Sequence, residues 1–175
     1  MPFTNRLQNI VKRFQIIFGH PFNNKPTLPT LERFVDRKGW GTLEESIEQI
    51  HTLSNNQEEF DAAIEKLRGY FDKAVQKQAG KEFIVDTEEK LAALADGLGD
   101  EAWFLFGDCV EAGIDIEPVI EIIERSNNSK MFTEEDGKKY VKYDENNKIM
   151  KSPEFFAPEP YILEEIKRQL TGKGV

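Results

Sequence analysis

The run TEEKLAALADGLGDEAWFLFGDCVEAG, from Thr87 to about Gly113, is the longest and most apolar stretch of helical character in the chain. Leu91, Leu94, Leu98, Trp103, Phe104, Leu105 and Phe106 leave it no broad polar face, so a helix built from it needs cover around most of its circumference. It is therefore expected at the centre of a helical bundle. Thr87 is the expected helix start, with half a capping box because Lys90 stands where Glu or Gln would complete it. Asp96 and Asp100 interrupt the apolar run. Asp is a poor helix former and a buried carboxylate is costly without a partner, so these two acids point beyond packing.

Other segments offer the cover. Leu7, Ile10, Val11, Phe14, Ile17 and Phe18 recur at three- and four-residue intervals, which predicts an amphipathic helix ending near Gly19 with a Phe-rich face that must pack. PFNNKPTLPT at 21–30 is a loop by its prolines and asparagines. A second helical stretch is expected from Thr30 to Glu32, bending or breaking at Gly39 and Gly41 and resuming at Thr42 as N-cap, with Leu43, Ile47 and Ile50 along one stripe. After a break at 54–57, residues 58–78 predict a charged helix with Phe60, Ile64, Leu67, Phe71 and Val75 inward. A short helix is expected next over Glu117 to Arg125, with Pro118 in its first turn. Alternation around DENN predicts a hairpin of Tyr140 to Tyr143 against Lys148 to Lys151, then a proline-rich extended segment and a last helix over Tyr161 to Leu170. The fold class expected is all-α, a helical bundle with a small C-terminal β-hairpin and tail, forming a single domain over 1–175 with 125–175 as its appendage.

A net charge of −9 argues against sequence-independent binding to a nucleic-acid duplex, where basic residues must neutralise phosphates. A polyanionic substrate would need local compensation by a metal or by clustered Lys. No apolar run reaches the length of a membrane span, and the N-terminal MPFTNRLQNIVKRF does not read as a signal peptide. The single cysteine, Cys109, excludes an internal disulfide framework and makes a cytoplasmic location the default expectation.

Helical spacing puts Glu45 with Glu48, and Asp96 with Asp100, each on one side of a helix. If the two helices are neighbours, four carboxylates converge in an oxygen-rich pocket suited to Mg²⁺ or Mn²⁺. Glu44, Glu45 and Glu48 also suit an ordinary solvated helix face. Glu48 and His51 have the Glu-x-x-His spacing of di-iron bundles, but the other histidine, His20, has no helical Glu three residues before it, so His51 is expected to be structural or exposed. RSNNSK at 125–130 ends a helix with hydroxyls, amides and cations that can hold phosphate oxygens, Asn127 and Lys130 among them, with Lys148 and Lys151 as further positive charge. Ser- and Asn-rich loops are common, so this run is not specific alone. Cys109 has no neighbouring His and reads as a structural thiol, and Trp40 and Trp103 read as core in preference to base-stacking surfaces.

In their order along the chain these pieces resemble the all-α nucleoside triphosphate pyrophosphohydrolases, the superfamily of MazG-like proteins and phosphoribosyl-ATP pyrophosphohydrolase. The resemblance rests on FQIIFGHPFNNKPTLPT at 14–30, the Glu44-Glu45-x-x-Glu48 motif, LADGLGDEAWFLFGDCVEAGID at 94–115, RSNNSK at 125–130 and KIMKSPEFFAP at 148–158. It implies Mg²⁺-dependent cleavage between the α- and β-phosphates of a nucleoside triphosphate, with a house-cleaning role toward non-canonical nucleotides and a homodimer or dimer of dimers as the assembly. It further implies Glu45, Glu48, Asp96 and Asp100 as metal ligands, and Glu44 as outer-shell group or base for the attacking water. Asn127, Lys130, Lys148 and Lys151 are implied as substrate-binding residues. Three features depart from the family pattern: Gly97 stands where the second motif has Glu, the segment 54–87 is long, and Asn147-Lys148 replaces a Gly-Lys. The alternative expectation is a non-catalytic helical interaction or regulatory protein that kept the bundle and lost turnover, which Gly97 favours.

Overall fold

The computed structural model describes residues 3–145 and 148–172, and the chain divides into two compact units, residues 1–25 with 96–175 and residues 26–95. The helices are α1 (Arg6–Ile17), α2 (Leu31–Asp36), α3 (Glu44–Leu53), α4 (Gln57–Gln76), α5 (Thr87–Ala112), α6 (Ile116–Asn128) and α7 (Glu159–Leu170), with β1 (Phe132–Thr133) and β2 (Lys139–Tyr140) between α6 and α7. The all-α class with a small hairpin is as expected from the sequence.

In the first unit α1 lies against α6. Asn5 caps α1 by accepting the Gln8 amide at 3.1 Å, and Gly19, at φ 63°, takes the left-handed conformation that ends it. Ile10 and Phe18 from the α1 segment and Val119 and Ile122 from α6 are its most buried apolar side chains, Phe18 at 1% exposure. Burial of each such side chain contributes roughly 1.5–3 kcal/mol, so this interface holds the unit together. Flanking ion pairs set its register: Arg6 donates to Glu117 and Glu121, and Arg13 Nη2 to Glu124 Oε1 at 2.8 Å. Asp115 caps α6, which runs to Asn128, three residues past the expected end. Gln169 on α7 clasps the start of α6 through both amide atoms, Oε1 accepting from Asp115 N and Nε2 donating to Asp115 O, each at 2.9 Å.

The hairpin region contains more than the sequence suggested. β1 and β2 pair antiparallel, Phe132 opposite Tyr140, around a turn in which Gly137 at φ 86° donates to Glu134 O at 2.9 Å. The pairing expected around DENN is present as a bridge between Tyr143 and Ile149, with Met150 N donating to Lys142 O at 2.9 Å, although Asn146 and Asn147 at its turn lie outside the described residues. The Tyr143 hydroxyl donates to Phe18 O and so ties this bridge to the end of α1.

In the second unit the helix does not break at Gly39 and Gly41. Residues Arg37–Leu43 continue from α2 into α3 as a π-helical stretch, so Thr42 is not an N-cap; its carbonyl accepts from Ser46 Oγ at 2.8 Å, and Thr30 caps the whole run. The two glycines relax the ladder without ending it, because Leu31–Asp36 and Glu44–Leu53 hold regular helix on both sides. α3 and α4 pack as a pair, with the His51 ring edge-on to Phe60 at 5.2 Å while His51 itself is exposed, within the expectation of a structural or exposed histidine. Phe60, Ile64 and Leu67 are half-buried, whereas Phe71 and Val75, expected inward, are exposed.

α5 departs furthest from expectation. It begins at Thr87, as expected, but the cap is Asp86, whose Oδ1 accepts from Glu88 N at 2.8 Å and Glu89 N at 2.9 Å. Leu91 and Leu94 are half-buried, but the large apolar side chains beyond them are not covered: Trp103 is 79% exposed, Phe104 70% and Val110 80%. Trp40 is likewise exposed, so neither tryptophan is core in the single chain. Within the first unit, residues 96–112 pack along none of α1, α6 or α7.

Candidate active site

Glu44, Glu45 and Glu48 occupy the first turns of α3, directly after the π-helical stretch that sets the direction in which α3 presents them. π-Helical insertions accumulate at functional sites because one extra residue per turn re-aims the side chains beyond it. All three are exposed, as are Asp96 and Asp100 on α5. None of the five carboxylates takes a side-chain hydrogen bond or ion pair among the described residues, unlike Glu59, Asp86, Glu124 and Glu165, which do. Gly97 and Gly99 lie beside the two aspartates, and a Cβ added at Gly97 would meet nothing within 4 Å.

The donor chemistry suits a hard divalent cation, since both pairs offer carboxylate oxygen and no competing sulfur or imidazole. Within the described residues of one chain, however, no three Asp, Glu, His or Cys side chains come together as a metal site. Each unit supplies one pair, and a pair alone is too few for the octahedral shell of Mg²⁺ unless waters and phosphates complete it.

A cationic site is assembled inside the first unit. Lys130 comes just after the last turn of α6, half-buried, and its Nζ donates to Asn127 Oδ1 at 2.6 Å. Burial pushes its pKa down, and the charges of Lys151 and then Lys148 push it further in the same direction. Asp144 Oδ1 is engaged by the Lys148 backbone amide at 2.8 Å. Lys151 Nζ lies 4.4 Å from the centre of the Phe155 ring, and Asn128 Oδ1, buried nearby in sequence, lacks a partner. Three ammonium groups near enough for two of them to act on the third offer positive charge to an anion of several charges.

The hydroxyls in RSNNSK do not serve as expected. Ser126 Oγ donates to Phe156 O at 2.8 Å and Ser129 Oγ to Ser126 O at 2.7 Å, so both are spent on backbone carbonyls. Ser152, whose role the sequence does not signal, donates to Ser129 O at 2.7 Å. Only the neighbouring lysines could have drawn attention to it. Cys109 is a half-buried free thiol, and no helix among the described residues is long and apolar enough to cross a membrane.

The helical frame, taken with its likeness to known proteins, places the chain among hydrolases of phosphoanhydride bonds of the all-α pyrophosphohydrolase class. Residues 11–127 match the profile of phosphoribosyl-ATP pyrophosphohydrolase, and the chain belongs to that family. It is also similar to the crystal structure of a provisionally assigned NTP pyrophosphohydrolase from Exiguobacterium sp. 255-15, at 34% identity and a TM-score of 0.88, over 97% of this chain and 99% of that one. No curated protein matches the chain by sequence.

Proposed function

We propose that the chain is a Mg²⁺-dependent nucleoside triphosphate pyrophosphohydrolase that cleaves between the α- and β-phosphates and releases a monophosphate and pyrophosphate, with Mn²⁺ as a substitute cation. The observation that carries this reading is the lysine seat. In a chain of net charge −9, the charges of Lys148 and Lys151 act on the half-buried Lys130, and Asp144 Oδ1 is engaged by the Lys148 backbone amide at 2.8 Å, a concentration of positive charge that suits a phosphate chain.

Glu45, Glu48, Asp96 and Asp100 would hold the cation, which when bound supplies charge neutralisation at the phosphates and acidifies water. The protein groups do the remainder. Lys130, Lys148 and Lys151 hold the β- and γ-phosphates and Asn127 orients Lys130, while Glu44, beside the ligand pair and free of partners, accepts the proton of the attacking water. A base adjacent in sequence to a ligand moves with it, so attack and ligation stay in register.

The assembly proposed is a homodimer, or a dimer of two such dimers. The exposed apolar side chains of α5 need cover, and a second copy carries another such helix and another acid pair. The proposed setting is nucleotide-pool house-cleaning in the cytoplasm. The test is pyrophosphate release by purified protein over ordinary and modified nucleoside triphosphates, with Mg²⁺, Mn²⁺ or chelator. Release that requires the cation supports the reading. No release with any nucleotide would instead favour a helical module that lost turnover when Gly97 replaced the family's Glu.

A further inference from the structure

Around the lysine seat, three serine hydroxyls carry out a task that is neither catalysis nor ordinary solvation. Ser126 and Ser152 are among the few buried polar side chains, at 3% and 6% exposure. Ser152 Oγ donates to Ser129 O at 2.7 Å and accepts from Glu154 N at 3.1 Å. Ser129 Oγ donates to Ser126 O and accepts from Phe156 N at 3.2 Å, while Ser126 Oγ reaches Phe156 O. Residues 152–156 are thereby pinned at successive points to the last turn of α6. Lys130 comes directly after Ser129, and Lys151 directly before Ser152. The bond from Ser152 to the Ser129 carbonyl is therefore a rung joining the two backbones that carry these lysines. Lys148 enters through the neighbouring bridge, its carbonyl accepting from Asp144 N at 2.9 Å.

Like charges repel, so a seat of three lysines opens unless something opposes it. Electrostatic sites also bind tightly only when their charges are fixed before the ligand arrives, since otherwise ordering them consumes the gain. A buried hydroxyl is suited to this because it has a single rotor and forms a short bond inside the protein without adding charge.

We propose that Ser152 and Ser129 are positioning residues that set the separation of Lys151 from Lys130, and through it the affinity of the seat for the pyrophosphate portion of the substrate, without touching that substrate. The inference rests on the pyrophosphohydrolase reading only in taking a phosphate chain as the occupant. It also makes pyrophosphate itself a ligand of the cation-free protein, held by the lysines alone.

The experiment titrates inorganic pyrophosphate calorimetrically into the full chain in the presence of chelator, and measures triphosphate kinetics with Mg²⁺, for the unaltered protein and Ser152→Ala. Loss of the two hydrogen bonds of Ser152 Oγ, the rung to Ser129 O among them, predicts pyrophosphate binding weaker by about tenfold and a KM for the triphosphate raised by a similar factor, with kcat changed much less. A merely structural serine would not move the titration of the Lys130 ammonium followed by NMR. Here it should shift back toward the ordinary lysine value as Lys151 drifts away, while the melting temperature stays close to that of the parent. If Ser152→Ala melts too readily to assay, Ser126→Ala, which cuts only the distal tie to Phe156, should show the same changes in smaller degree. Unchanged pyrophosphate affinity in both variants, or no pyrophosphate binding by the unaltered protein in chelator, overturns the proposal. Pyrophosphate binding that Ser152→Ala weakens, in a protein that cleaves no nucleotide, would refute the pyrophosphohydrolase reading and leave the serine buttress standing.

Discussion

Glutamate at Trp103 and Phe104 together should dissociate the proposed homodimer into monomers. The indole is 79% exposed and the phenyl ring 70% exposed in the single chain, so each has nearly its full surface to bury. Covering each ring contributes roughly 1.5–3 kcal/mol per copy, the larger indole toward the upper end. In a two-fold interface both copies lose these contributions, against an association cost of about 4–15 kcal/mol for lost translational and rotational freedom. The surplus that makes a stable dimer is small beside such a loss. The new carboxylates also add repulsion to a helix that already carries Asp96 and Asp100. Trp and Glu differ little in helix propensity, so α5 itself should persist, and far-ultraviolet circular dichroism should show it. Sedimentation equilibrium across the micromolar range is the assay, run beside pyrophosphate release. A double variant with the parent's mass, or a parent that sediments as a 20.2 kDa monomer and still turns over, refutes the reasoning.

Alanine at Glu48 or at Asp100 should reduce pyrophosphate release by at least about 100-fold while circular dichroism stays nearly unchanged, because both side chains are exposed and take no side-chain partner among the described residues. Gly97→Glu should raise the melting temperature, since Gly inside a helix costs up to about 1 kcal/mol, and should lower the Mg²⁺ concentration needed for half-maximal release. A destabilised Gly97→Glu protein, or one with unaltered Mg²⁺ dependence, would show that position 97 faces a packed surface in the assembly. Glu165, held at a pKa of about 2 chiefly by its hydrogen bond from Arg168 and next by that from Gln169, contributes stability that is present above pH 4.5 and lost as pH falls toward 2. Glu165→Gln should therefore flatten the acid limb of a urea-unfolding series over that window.

What the sequence disclosed depended on whether the information was local. The spacing of Leu7, Ile10, Phe14 and Phe18 describes a face that the same chain covers with α6, so α1 appears where periodicity places it. Phe71 and Val75 obey the same periodicity and Trp103 belongs to an apolar run, yet all three are exposed, because such patterns report that a surface wants cover and not which molecule supplies it. Gly39 and Gly41 carry the composition of a break, and helix on both sides converts the break into a π-helical stretch. Strands of two residues are too short for alternation to register, which is why β1 and β2 escaped notice although Asp136-Gly137 is a turn signal. Of the site, the acids and lysines were legible because their charge is unusual where they stand. Ser152 was not, since its meaning lies in a carbonyl 23 positions away.

Lys130 gives the sharpest distinction between a site and a surface. Its pKa is lowered from 10.5 first by burial and then by Lys151 and Lys148, so the charged form is disfavoured in the folded state. Between the lowered folded pKa and 10.5 the unfolded chain binds more protons, so stability rises with pH across that window, and below it the folded protein carries the full penalty of the ammonium. Methionine has similar bulk and no charge. Lys130→Met should therefore be more stable than the parent at neutral pH, and the gap should narrow as pH rises toward 10.5, as read by thermal melts over pH. The same variant should lose pyrophosphate binding. A fold has no use for an unpaired, half-buried cation that weakens it, whereas a site that meets a phosphate chain does, because the arriving anion removes the penalty and the penalty becomes binding affinity. A Lys130→Met protein that is less stable than its parent at neutral pH would mean that the bond from Lys130 to Asn127 and its other surroundings outweigh the burial penalty, and the penalty would then not be there for phosphate to relieve.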